Sequence, residues 1–146
     1  MNQTDHDTGQ AGTDSGLLCL IMLAKLHGIA ADARQLQHRF GRQPFNVQTI
    51  LLGARALGMK ARAIRQQAAR LERTPVPAIC VDHAGHFFVL AKIDAAPQES
   101  PGTPLRILIQ RPGQAPQVLT RSEFMALWGG QVILMTSQAS YAGESS

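Results

Sequence analysis

The run Asp14-Ser15-Gly16-Leu17-Leu18-Cys19-Leu20-Ile21-Met22-Leu23-Ala24-Lys25-Leu26-His27-Gly28 sets how the chain begins to fold. Asp or Ser ahead of an apolar run is an N-cap signal, because a short side-chain oxygen accepts from the orphan amides of the first turn. Gly28 stands where a helix stops, since glycine enters the left-handed region without strain. Between these marks the residues are apolar nearly all round. The stretch reads as a helix lying in the core rather than as an amphipathic surface helix. Its longest uncharged apolar run, Leu17 to Ala24, is far below the ~20 residues a membrane span requires.

Upstream, residues 1–13 are polar, carry Asp5 and Asp7, and read as a flexible leader and not as a secretory signal. Downstream, two further helices are expected. Ala31 to Phe40 places Ala33, Leu36 and Phe40 three and four apart. Asn46 caps a helix through Leu57, with Val47, Ile50, Leu51 and Ala54 on one face. Met59 to Ile64 alternates as a strand does, and Ala68 to Arg73 reads as a short helical turn.

Strands dominate after Pro75. They are expected at Pro77–Val81, His86–Ile93, Leu105–Ile109, Gln117–Leu119 and Gln131–Met135, with turns at Asp82–Gly85 and Arg111–Gly113 and a proline-rich loop from Asp94 to Pro104. Thr120 with Glu123 forms a capping box ahead of a helix ending at Trp128, where Gly129-Gly130 breaks it. Residues 137–146 read as a flexible tail, leaving 14–136 as the folded domain. Helices first and strands afterwards predict an α+β fold, helices packed on a C-terminal antiparallel sheet.

The chain has 146 residues, 45% hydrophobic and 16% charged. That is one domain's worth and not the composition of a disordered chain. Two cysteines, Cys19 and Cys80, both in apolar runs, exclude a disulfide framework and read as core residues. The net charge of +4 comes mainly from arginine, richest from Arg55 to Arg73. These arginines read first as solvated faces of a helix and a strand, with an acidic or anionic partner as the alternative through long-range attraction. Nucleic-acid binding would need stacking aromatics in the basic stretch, and none lies between Phe45 and Phe87. His83 with His86 lacks a third nearby ligand, so no metal is expected.

A small residue opening a buried helix, followed far along the chain by a histidine on a strand, suggests a papain-like peptidase, in which a helix N-terminus favours a thiolate and a carboxylate or amide orients the histidine. The sequence resembles the bacteriocin-leader cysteine-peptidase domain found at the N-terminus of some ABC exporters. That family opens its helix with Asp-Cys-Gly, where this chain reads Asp14-Ser15-Gly16. Its histidine begins a strand matching His86-Phe87-Phe88-Val89-Leu90. Its orienting Asp sits in an apolar-x-Asp-Pro turn, here Ile109-Gln110-Arg111-Pro112, and Ser122–Gly129 is similar to its closing helix. The resemblance runs from Thr13 to Thr136 and implies a papain-like cysteine-peptidase fold.

The departures fall on the chemistry. Ser15 stands where the resemblance implies the nucleophilic Cys, and Arg111 where it implies the orienting Asp. The family's oxyanion-hole Gln lies six residues before the nucleophile, where this chain has Gly9; Gln10 lies five before. Of the triad positions Ser15, His86 and Arg111, only His86 keeps the family residue. A serine hydroxyl needs a well-oriented base far more than a thiol does, and losing only the orienting carboxylate costs ~10⁴-fold in the serine-protease template.

Read as residues alone, Ser15 is a helix cap, His86 a packed, hydrogen-bonded strand residue, and Arg111 a turn residue near solvent. Degenerate versions of this domain occur in type I secretion exporters of the haemolysin kind. The resemblance therefore implies a catalytically inactive docking domain without a cofactor. It would sit at the cytoplasmic face of the bacterial inner membrane and bind an unfolded toxin with glycine-rich repeats. Its other partners would be the membrane and nucleotide-binding domains of the same transporter. His86, Phe87, Phe88, Val81, Trp128 and Arg111 are the expected substrate contacts, and Arg111 with the Arg55–Arg73 region would draw acidic repeats. The alternative is a leader peptidase whose cysteine has been exchanged for Ser15; a free-standing binding module is supported by net charge alone.

Overall fold

A computed structural model describes residues 14–94 and 105–137. The leader of residues 1–13, the oxyanion position at Gly9 and Gln10, the loop over 95–104 and the tail beyond Ser137 lie outside the described residues. The chain divides into two compact units, one running to Arg62 and taking in Met135 onward, the other Ala63–Leu134.

The first unit holds three helices: α1 (Ser15–Leu26), α2 (Ala33–Phe40) and α3 (Val47–Ala56). Each begins at a polar cap that accepts from its first turn. Asp14 accepts from Leu17 N, Asp32 from Arg34 N and Asn46 from Thr49 N. The cap of α1 is therefore Asp14, and Ser15 is the first helical residue rather than a cap. Gly28 and Gly58 take positive φ just past the ends of α1 and α3, as a left-handed stop requires. Leu17, Cys19, Leu20 and Leu23 of α1 are fully buried, but Leu18, Ile21 and Met22 are only half-buried and Leu26 is exposed. An all-round apolar helix is thus covered mainly on one side in this chain. α1 and α3 approach closely at Gly53, where an added Cβ would lie 2.6 Å from Leu20 Cδ2. Phe45 is buried, with its ring edge-on to Phe40 at 6.3 Å.

The second unit is built on the sheet. The strands are β1 (Met59–Arg65), β2 (Ala78–Asp82), β3 (Phe87–Asp94), β4 (Arg106–Gln110), β5 (Gln117–Leu119) and β6 (Trp128–Ser137), in the order β1-β6-β2-β3-β4-β5, with Met59–Arg62 and Met135–Ser137 counted in the first unit. The β2–β3, β2–β6, β3–β4 and β4–β5 ladders are antiparallel. A 3₁₀ helix (Ala68–Arg73) follows β1, and α4 (Arg121–Leu127) precedes β6. The capping box of α4 is complete: Glu123 N donates to Thr120 Oγ1, and Thr120 N donates to Glu123 Oε1. One core cluster contains Leu71, Cys80, Phe88, Ile107, Phe124 and Trp128, with Phe124 set against both Phe88 and Trp128.

Gly129-Gly130 does not end a helix before a gap. β6 starts directly at Trp128, and the glycines form a bulge in it, where Cys80 faces Val132 but Asp82 already faces Trp128. A Cβ on Gly129 would sit 3.3 Å from Val81 O, and Gly130 has φ +96°. The bulge needs glycines for close approach and a left-handed turn. Ser137, expected to open a frayed tail, is the buried last residue of β6.

Candidate functional site

The turn joining β2 to β3 is organised by one carboxylate. Asp82 is nearly buried at the end of β2. Its Oδ1 accepts from Ala84 N and from His86 N, both at 2.9 Å, while Asp82 N donates to His86 O at 2.9 Å. Gly85 supplies the positive φ that closes the turn. With Oδ1 so engaged, Oδ2 faces a guanidinium and an imidazole. Arg111 Nη1 lies 3.5 Å from it and His86 Nδ1 3.9 Å. The first is an ion pair, and the second becomes one only when the imidazole is protonated. The Arg111 guanidinium also lies over the Phe88 ring, 5.7 Å from its centroid.

His86 is neither in the strand nor packed. It precedes β3 and its side chain is 67% exposed. Arg111 is the turn residue expected, but a partly covered one, held between a carboxylate and an aromatic ring. Reading the sequence missed Asp82 as a site residue. The signal for its turn was there in Asp82-His83-Ala84-Gly85; its partner 29 positions further on was not.

Of the apolar contacts expected to meet a substrate, Phe88 is wholly buried and Phe87 and Trp128 nearly so, while Val81 is half-buried. Phe88 and Trp128 belong to the core cluster. Their burial corrects their reading as surface contacts, since exposing a phenylalanine forfeits about 1.5–3 kcal/mol. Arg111, His86 and Val81 keep accessible surface.

Ser15 belongs to the first unit, at the N-terminus of α1. Asp14 beside it is buried and holds two segments at once: its Oδ1 accepts from Leu17 N and from Phe45 N, each at 3.1 Å. Gly16 packs so closely on Phe45 O that no Cβ fits. Cys19, one turn on, is no substitute nucleophile. Burial pushes its thiol up to about 12, with the Asp14 charge adding to the effect. It stays protonated at neutral pH, and Cys80 is equally buried. We expect neither cysteine of the native protein to react with iodoacetamide at pH 8, as read by intact-mass spectrometry; prompt alkylation would show that the thiols open to solvent. Among the described residues no group of three or more His, Cys, Asp or Glu is placed to hold a metal ion, and no helix is long and apolar enough to cross a membrane.

Helices followed by an antiparallel sheet, with a helix N-terminus at Ser15 and a histidine at the head of a strand, define a papain-like cysteine-peptidase fold. The sequence profile described as "Peptidase C39 family" matches residues 6–140, and the chain belongs to that family. It is 51% identical over 127 residues to the cyclolysin secretion/processing ATP-binding protein CyaB of Bordetella pertussis, covering 87% of this chain and 17% of that protein. To the leukotoxin translocation ATP-binding protein LktB of Mannheimia haemolytica it is 34% identical over 134 residues, covering 90% and 18%. The chain thus spans less than a fifth of the length of these curated relatives.

Solved structures share the fold. A double-glycine-motif protease from an AMS/PCAT transporter, in complex with its leader peptide, matches with a TM-score of 0.70 at 20% identity, over 83% of this chain and 82% of that one. The N-terminal peptidase C39-like domain of a toxin secretion ATP-binding protein from Vibrio parahaemolyticus matches with a TM-score of 0.67 at 20% identity, over 84% and 96%.

Proposed function

We propose that this chain is a catalytically inactive, peptidase-like docking domain of a type I secretion ABC exporter. It holds an unfolded export substrate, of the glycine-rich-repeat toxin kind, at the cytoplasmic face of the inner membrane. The exporter's membrane and nucleotide-binding domains carry transport and ATP hydrolysis, and this domain needs no cofactor. The observation that carries the reading is the Arg111–Asp82 ion pair. A cation occupies the position where the family resemblance puts the orienting acid, and it competes with His86 for the nearest carboxylate. The carboxylate nearest the imidazole is thereby already engaged by a guanidinium 3.5 Å away. Ser15 adds a weak nucleophile in place of a thiol. The similarity to exporters named for cyclolysin and leukotoxin supports the substrate class.

Binding without scission asks only for a surface that holds an extended segment. An outer strand supplies backbone hydrogen bonds to such a segment, and the ordering of a disordered partner keeps the affinity low. Two experiments test the reading. Ser15→Cys, incubated with a double-glycine leader peptide, is expected to leave the peptide intact by mass spectrometry. NMR titration is expected to give shifts with the unfolded substrate and none with the folded one; identical or absent shifts for both sink the docking reading.

A second reading, a leader peptidase whose nucleophile has been replaced at Ser15, draws on one observation: Asp82 Oδ2 lies 3.9 Å from His86 Nδ1, so a carboxylate is at hand for the imidazole. Clean single-site cleavage by Ser15→Cys would select it.

A further inference from the structure

Every carboxylate among the described residues is already engaged. Asp14 and Asp32 cap helices, Glu123 completes a capping box, and Glu72, Asp82 and Asp94 pair with Arg121, Arg111 and Lys92. The Glu72 carboxyl is held below its usual range by the hydrogen bond from Arg121. Uncommitted charge among these residues is therefore basic, and the 3₁₀ helix arranges two such charges in a regular way. A 3₁₀ helix turns once every three residues, so side chains at i and i+3 eclipse. Leu71 and Thr74 form its buried side. Glu72 is turned to Arg121, whose Nη2 also donates to Ala68 O and so ties the helix to the start of α4. The remaining row holds Arg70 and Arg73, both exposed, and neither guanidinium has a carboxylate partner among the described residues.

We infer that this row is a binding ridge for an extended acidic segment whose carboxylates sit at alternate positions. The spacing makes the match. Three residues of 3₁₀ helix rise about 6 Å, and alternate residues of an extended chain are about 6.6 Å apart on one side. Arg70 and Arg73 can then each take one carboxylate of the same chain. A guanidinium offers forked donors suited to a carboxylate. Single-stranded nucleic acid has charges to offer as well, but it is gripped through stacking on aromatic faces. Among the described residues no Phe or Trp side chain is exposed. The inference deepens the docking reading and rests on it for the partner's identity: the unfolded substrate would present such a segment.

The test is an NMR titration of the 146-residue chain with two synthetic Gly/Ser peptides, each carrying two aspartates, at alternate positions in one and six apart in the other. The first is expected to shift the amides of Gln67–Thr74 and to bind about tenfold more tightly than the second, an effect that weakens as salt is raised. Arg70→Gln/Arg73→Gln should abolish that difference, and Arg70→Lys/Arg73→Lys should retain part of it. Equal binding of both peptides, an unchanged response in the Gln variant, or tighter binding of a thymidine oligonucleotide than of either peptide would overturn the ridge. Unfolded export substrate separates the two proposals. If it binds the wild type and the Gln variant alike, docking stands and the ridge falls. If it binds neither while the alternate peptide behaves as expected, the ridge stands and docking falls.

Discussion

Asp14→Ala is expected to lower stability by about 3 kcal/mol, from a lost helix cap worth ~1 kcal/mol and a buried amide left without a partner at ~1–3 kcal/mol. In a chain of this length that shifts the melting temperature by roughly 6–12 °C. The reason lies in what the carboxylate does. It closes the first turn of α1 through Leu17 N and fixes the entry to α3, 31 residues away, through Phe45 N. Both contacts are buried, so water cannot replace the lost acceptor. Asp14→Asn retains one acceptor and should cost less than half as much. Ser15→Ala, at a position that does not cap the helix, should also cost clearly less than Asp14→Ala. Thermal melts of the three variants decide it. Equal losses for Asp14→Ala and Ser15→Ala would mean that the serine shares the anchoring role.

The helical half was legible because its signals are local. Asn46 and Thr120 cap the elements that follow them, and Gly28, Gly58 and Gly113 take the positive φ their positions imply, whereas the helix expected from Ala31 starts at Ala33 behind an Asp32 cap. Each needs only neighbours within four residues, which a sequence displays directly. The choice between Asp14 and Ser15 was not legible. Either side chain can cap a helix, and what decides is the amide of Phe45, brought in by folding. Gly129-Gly130 failed for a related reason. Paired glycines signal a break in local terms, yet here they serve a strand whose neighbour, β2, lies nearly fifty residues earlier and leaves no room for a Cβ. Burial of Phe88 and Trp128 is likewise a property of the sheet and not of their alternation, because the core cluster takes side chains from β2, β3, β4, α4 and β6 at once.

The site divides along the same line. That Ser15, His86 and Arg111 depart from or keep the family pattern is visible in residue types alone. That Arg111 and His86 share one oxygen of Asp82 is visible only in space. Residue types alone thus display an arginine where the resemblance implies the orienting acid, and they conceal that a carboxylate, from the turn before the strand, lies beside the imidazole. This arrangement also explains why a guanidinium is accommodated there. Asp82 is nearly buried, and a buried carboxylate is retained only if hydrogen-bonded and paired.

Asp82→Ala should therefore cost about 2–3 kcal/mol, whereas Arg111→Ala should cost only ~1 kcal/mol. Removing the carboxylate strips acceptors from the Ala84 and His86 amides and the countercharge from Arg111 in one step. Removing the guanidinium leaves both amide hydrogen bonds in place, and the cost is that of a weakened ion pair and a lost contact over Phe88. Because the two residues meet, the losses should not add. The double variant should be more stable than their sum predicts by about 0.5–1 kcal/mol, within the range found for contacting pairs. Hydrogen exchange supplies the second readout: Ala84 and His86 amides lose protection in Asp82→Ala and keep it in Arg111→Ala. If the losses prove additive, or if Arg111→Ala alone opens the turn, then Asp82 is not the organising group. The proposed docking reading would then lose the ion pair it rests on.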